Sequence, residues 1–165
     1  SENGMDAHLI LEAYEIIGSL TPLAGDCGAL CGAACCQPDE DGQGGMFLFP
    51  GEKSLLARES WCRVAPSAGP GDVLTCLAPC PREKRPLACR IFPLTPVWTG
   101  ENWTVRMDAR ARAMCPLCPS GVKGVQKEFA LAVRRALRRI AREAEGEAFL
   151  HAWQKLEEQY RNFSL

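Results

Sequence analysis

Ten cysteines in 165 residues, against two histidines, constrain this chain more than any other feature. All ten lie between Cys27 and Cys118, and the first four fall within ten residues, as Cys27-Gly-Ala-Leu-Cys31-Gly-Ala-Ala-Cys35-Cys36. Small apolar thiols can serve as close packing, but so dense a run is hard to explain that way. Clustered thiolates are soft donors, suited to zinc or to an iron–sulfur cluster. Geometry limits how they act. On a straight helix Cys27 and Cys35 would stand about 12 Å apart along the axis, whereas two sulfurs on one zinc lie within roughly 4 Å. Either Gly28 and Gly32 let the backbone wrap around one centre, or the cysteines divide between centres. Adjacent Cys35 and Cys36 suit different sites or a local break.

Further on come Cys76-Leu-Ala-Pro-Cys80 and Arg85-Pro86-Leu87-Ala88-Cys89-Arg90-Ile91-Phe92-Pro93. With these segments the chain resembles the cysteine-cluster family that carries a CxxCxxCC signature, the YkgJ-type zinc- or iron-chelating domains. Arg85-Pro86, Cys89-Arg90 and Phe92-Pro93 match that family's RPxxCRxFP element, and the resemblance runs from Cys27 to Pro93. The first cluster has wider gaps here, CxxxCxxxCC. Resemblance and spacing together point to Cys27, Cys31, Cys35, Cys36, Cys80 and Cys89 as leading metal ligands, with Cys76, Cys115 and Cys118 next. Several thiolates around one ion leave net negative charge. Arg82, Lys84, Arg85 and Arg90 flank Cys80 and Cys89 and can offset it. Arg85 and Arg90 lie inside the matched motif and are expected just outside the ligands; Arg82 and Lys84 suit solvated surface equally well. Cys115-Pro-Leu-Cys118 can complete a four-thiolate site or act as a redox dithiol; the break at Pro119-Ser-Gly favours metal. Cys62 has no partner at ligand spacing and is expected to be buried or spare.

The rest of the chain reads as an α+β fold dominated by helices and forming a single domain over 1–165, a length that can bury an ordinary core. The cysteine-rich, metal-binding middle spans about 25–119, and a C-terminal helical hairpin about 121–162. Leu9, Ala13, Ile16, Ile17 and Leu20 predict a helix over 6–19, ended by Thr21-Pro22. Val125, Phe129, Val133, Leu137 and Ile140 predict another over 124–145. Phe149, Trp153, Leu156 and Tyr160 predict a third, with Gly146 as the punctuation. In the middle, 46–49 and 72–77 read as strands and 52–59 as a short helix. Trp98 and Trp103 flank a hairpin turn. So little regular structure in so long a segment suggests that it is held partly by metal, and stripping the metal is expected to melt it.

Other constellations are weaker. Gly42-Gln-Gly-Gly45 follows an acidic run and reads as a turn, and Gly45 to Ser54 fails as a phosphate loop because Glu52 precedes Lys53. His8 and His151 sit on helices away from the thiols. Arg134, Arg135, Arg138 and Arg139 form a basic helical face that fits an acidic partner or plain solvation. A net charge of −1 argues against a general nucleic-acid binder. No stretch is apolar for the roughly 18 residues a membrane span needs. Abundant thiols and the lack of a leader-like run predict the cytosol. Two other readings fit the residues: an iron–sulfur enzyme acting on a macromolecule, and a disulfide-stapled secreted domain.

Overall fold

The computed structural model describes residues 7–23, 45–113, 115 and 117–163, with the backbone alone for 113 and 118. Cys27, Cys31, Cys35 and Cys36, and all but Gly45 of the 39–45 loop, lie outside the described residues. The fold is α+β and helix-dominated, as the periodicity implies. Helix α1 (Ala7–Ile17) buries Leu9, Ile10, Ala13 and Ile17. It ends at Gly18, ahead of the expected Thr21-Pro22. Gly18 takes φ +57°, and its N–H donates to the Tyr14 carbonyl at 2.7 Å. A residue with a side chain rarely enters that left-handed region, so glycine sets the stop.

The described part of the middle is more regular than its composition suggests. Strands β1 (Met46–Phe47), β2 (Cys62–Ala65) and β3 (Val73–Cys76) form an antiparallel sheet with β3 central. Helix α2 (Lys53–Leu56) joins β1 to β2, and α3 (Leu87–Ile91) follows a 3-10 turn over Arg82–Lys84. Strands β4 (Leu94–Trp98) and β5 (Trp103–Met107) make the expected hairpin, with Trp98 opposite Trp103. Residues from these elements enter one core with the outer helices: Phe49, Leu87, Ile91, Leu94 and Trp103 join Ile10, Phe129 and Trp153. Each such burial contributes about 1.5–3 kcal/mol. Residues 45–113 thus rest in good part on apolar packing, which leaves metal a smaller share of the middle to hold.

Helix α4 (Lys127–Ile140) buries the predicted stripe and packs on α1 and β5. Helix α5 (Ala144–Phe163) packs on β4 and on the 3-10 turn Ala109–Ala113. Its aromatic end grips the middle, with the Phe149 and Trp153 rings 4.6 and 5.4 Å from that of Phe49. The chain turns between the helices at 141–143, so Gly146 lies inside α5 rather than between the two. Glycine is needed there because a Cβ would run into the carbonyl of Ile140.

Farther along α5 the stripe departs from expectation. Tyr160 is exposed, while Glu157 is buried. Glu157 accepts from Arg106 (2.5 Å), from Arg161 (2.6 Å) and from the Ala109 amide (3.0 Å). Burial pushes its carboxyl up, but the two guanidiniums and the amide prevail and hold it below the ordinary carboxylate range. A folded-state pKa below the unfolded one stabilises above the unfolded value and is lost as pH falls through the folded one. The acid limb of a stability–pH curve should therefore flatten in Glu157→Gln. Urea midpoints of the two proteins from pH 7 to 3 check this; parallel curves would refute it.

Candidate metal centre

The RPLACRIF segment folds as a capped turn. Pro86 is extended and starts α3, whose buried side is Leu87, Ala88 and Ile91. That leaves Cys89 and Arg90 half-buried on the other side. Arg90 is spent locally. Its Nε donates to the Arg85 carbonyl at 2.5 Å and its Nη2 to the Glu83 carbonyl at 2.9 Å, clasping the 3-10 turn to α3. Its guanidinium carbon sits 4.0 Å above the centre of the Tyr14 ring, a cation–π contact. Arg85 contributes its carbonyl, and its charge lies close enough to oppose that of Arg90. Lys84 is exposed and pairs with Glu59 at 2.6 Å.

Beneath this pair lies Glu52, fully buried. The Tyr14 hydroxyl donates to its Oε2, as does the Leu87 amide at 2.7 Å, and the Phe49 amide donates to its Oε1 at 2.7 Å. One carboxyl thus joins α1, the β1–α2 turn and the first residue of α3, where a negative charge also suits the helix N-terminal amides. Burial pushes Glu52 up, against the lowering pull of Tyr14, Leu87, Phe49 and Arg90. Burial, then the neighbouring Glu52, raises the Tyr14 hydroxyl. In the sequence Glu52 figures only as the first residue of a short helix and as the flaw in a phosphate loop. No local pattern marks a glutamate whose partners lie 38 and 35 positions away.

The structure distributes the predicted ligands as follows. Cys89 lies within electrostatic reach of Tyr14, and Cys80 within that of Arg90. Helix α3, which carries Cys89, packs on both α1 and β1; in sequence these two elements bracket Cys27 to Cys36. Cys76 stands opposite Cys62 across β2 and β3. Cys62 is buried as expected, and burial followed by the charge of Cys76 pushes its thiol up. Cys115 is half-buried, its amide donating to the Ala111 carbonyl at 2.8 Å. Cys118 opens the 3-10 stretch Cys118–Gly124. Among the described residues, no group of three or more His, Cys, Asp or Glu is placed to hold a metal ion.

Most of the remaining candidates make contacts within the chain. His151 lies against the Trp98 and Trp103 rings, and His8 is 3.3 Å from Glu12. Three of the four arginines of the basic face bind within the chain: Arg134 donates to Thr104 Oγ1, Arg138 to the Trp103 carbonyl, and Arg139 pairs with Glu12 at 2.8 Å. Arg135 is exposed. No helix among the described residues is long and apolar enough to cross a membrane. No protein-family model, curated protein or solved structure matches the chain.

Proposed function

We propose that this protein binds a metal centre, zinc or an iron–sulfur cluster, through the thiolates of Cys27, Cys31, Cys35, Cys36, Cys80 and Cys89. The observation that carries this reading is the packing of the Cys89 helix on the two elements that bracket the first cluster. Cys80 lies within electrostatic reach of Arg90, the residue that follows Cys89. The donors are all sulfur, the set that soft cations and iron–sulfur clusters prefer. Arg90, held by two carbonyls and the Tyr14 ring, offsets the negative charge that such a set accumulates, with Arg85 beside it. Cys115 and Cys118 are reserve donors. The RPxxCRxFP resemblance points the same way, and a reducing compartment such as the cytosol would keep the thiols available. A bound metal would act as a cross-link between the first cluster and the turn and helix over 80–91.

Protein purified anaerobically without added metal should carry zinc or iron in stoichiometric amount. Cys36→Ser combined with Cys89→Ser should remove most of it. Chelation under reducing conditions should lower the melting temperature while leaving the near-ultraviolet signal of the buried tryptophans. The effect should fall short of the ~10–16 kcal/mol seen where metal is the whole fold, because residues 45–113 also share an apolar core with the outer helices. Elemental analysis decides: wild type that holds neither metal and takes up neither from solution refutes the proposal.

A further inference from the structure

Cys62 and Cys76 are thiols placed directly opposite one another on antiparallel β2 and β3. The next pair along is the hydrogen-bonded one, since the Leu77 amide donates to the Trp61 carbonyl at 2.8 Å. Cys62 and Cys76 therefore occupy a non-hydrogen-bonded position, where Cα atoms approach to about 4.5 Å and side chains lie closest. A disulfide spans Cα separations of about 4.4–6.8 Å. Both side chains stand on the same face and pack with Leu48, Leu56, Trp61 and Leu74. Their accessibility differs: Cys62 is buried, while Cys76 is half-buried and precedes the exposed Leu77.

The geometry points to an oxidation site: Cys62 and Cys76 form a cross-strand dithiol that a hydroperoxide converts to a disulfide. Cys76, the more accessible, attacks one peroxide oxygen as its thiolate. The O–O bond breaks, the distal oxygen leaves as hydroxide and takes up a proton to become water, and Cys76 becomes a sulfenic acid. The sulfur of Cys62 then displaces that hydroxyl, forming the S–S bond and releasing a second water. Two thiols and one hydrogen peroxide thus give one disulfide and two waters, with two electrons passing from sulfur to oxygen. Since the strands already hold the two residues in register, closure needs side-chain rotation and no change of fold.

The test treats the full-length, anaerobically purified chain with hydrogen peroxide, then alkylates it in denaturant and maps tryptic peptides. The expected product links peptide 59–63 to peptide 64–82 with the loss of two hydrogens and with Cys80 alkylated. Cys62→Ser and Cys76→Ser should each abolish the link, and fragmentation of the linked peptides should place the bond on Cys76. A link that persists in Cys76→Ser, or that maps to Cys80, overturns the assignment. So does full alkylation of both cysteines after peroxide has oxidised other thiols of the same chain.

Discussion

Glu52→Ala should cost roughly 3–5 kcal/mol of folding stability, a large part of the 5–15 kcal/mol that a domain of this size commonly has. The substitution strands the Phe49 and Leu87 amides and the Tyr14 hydroxyl at a fully buried point. Each orphaned buried group costs about 1–3 kcal/mol, partly offset because the buried carboxyl is no longer paid for in desolvation. Glu52→Gln keeps the shape, but whichever way the carboxamide turns, its NH2 faces a backbone N–H; a loss of about 1–3 kcal/mol is expected. Tyr14→Phe removes one donor, retains the ring beneath Arg90, and should cost about 1 kcal/mol. Urea unfolding of the three variants measures the order. If Glu52→Ala comes within about 1 kcal/mol of wild type, well below the orphaning cost, Glu52 is not the junction its contacts describe.

Gly146→Ala should reverse the usual sign of its substitution. In an ordinary helix interior, alanine for glycine gains about 1 kcal/mol. Here the new Cβ would clash with the carbonyl oxygen of Ile140 and lie 2.8 Å from its Cγ2. The carbonyl is backbone, so α4 and α5 would have to separate, and overpacking of that kind costs about 1–3 kcal/mol. The separation would also shift Phe149 and Trp153 against Phe49, so the near-ultraviolet spectrum should change with the melting temperature. A variant more stable than wild type would show that the α4–α5 turn has slack.

What could be read from the sequence follows from what is local. The α1 and α4 stripes recur at helical spacing and dictated their buried faces. Trp98 and Trp103 around a four-residue turn predicted the hairpin. Helix α3 escaped because five residues are too few to show a period, and the same stretch was legible only as a motif. Strand β2 escaped for a related reason: four residues with Arg63 between Cys62 and Val64 do not stand out until β3 pairs with them. Glu52 and Glu157 look like surface residues in sequence. Their burial depends on donors from Tyr14, Leu87, Arg106 and Ala109, which only the tertiary fold brings near. Ligand spacing likewise left Cys62 without a partner, because its partner is set by strand register. The arginines of α4 read as a solvated or partner-binding face, yet Arg134, Arg138 and Arg139 reach β5 and α1.

The clasp of Arg90 on the 83–85 turn has a kinetic side. Its two carbonyl contacts span five and seven positions of chain, so they close a small loop at little entropic expense and can form early. The stack on Tyr14, 76 positions away in sequence, closes a far longer loop and so carries the larger entropic cost.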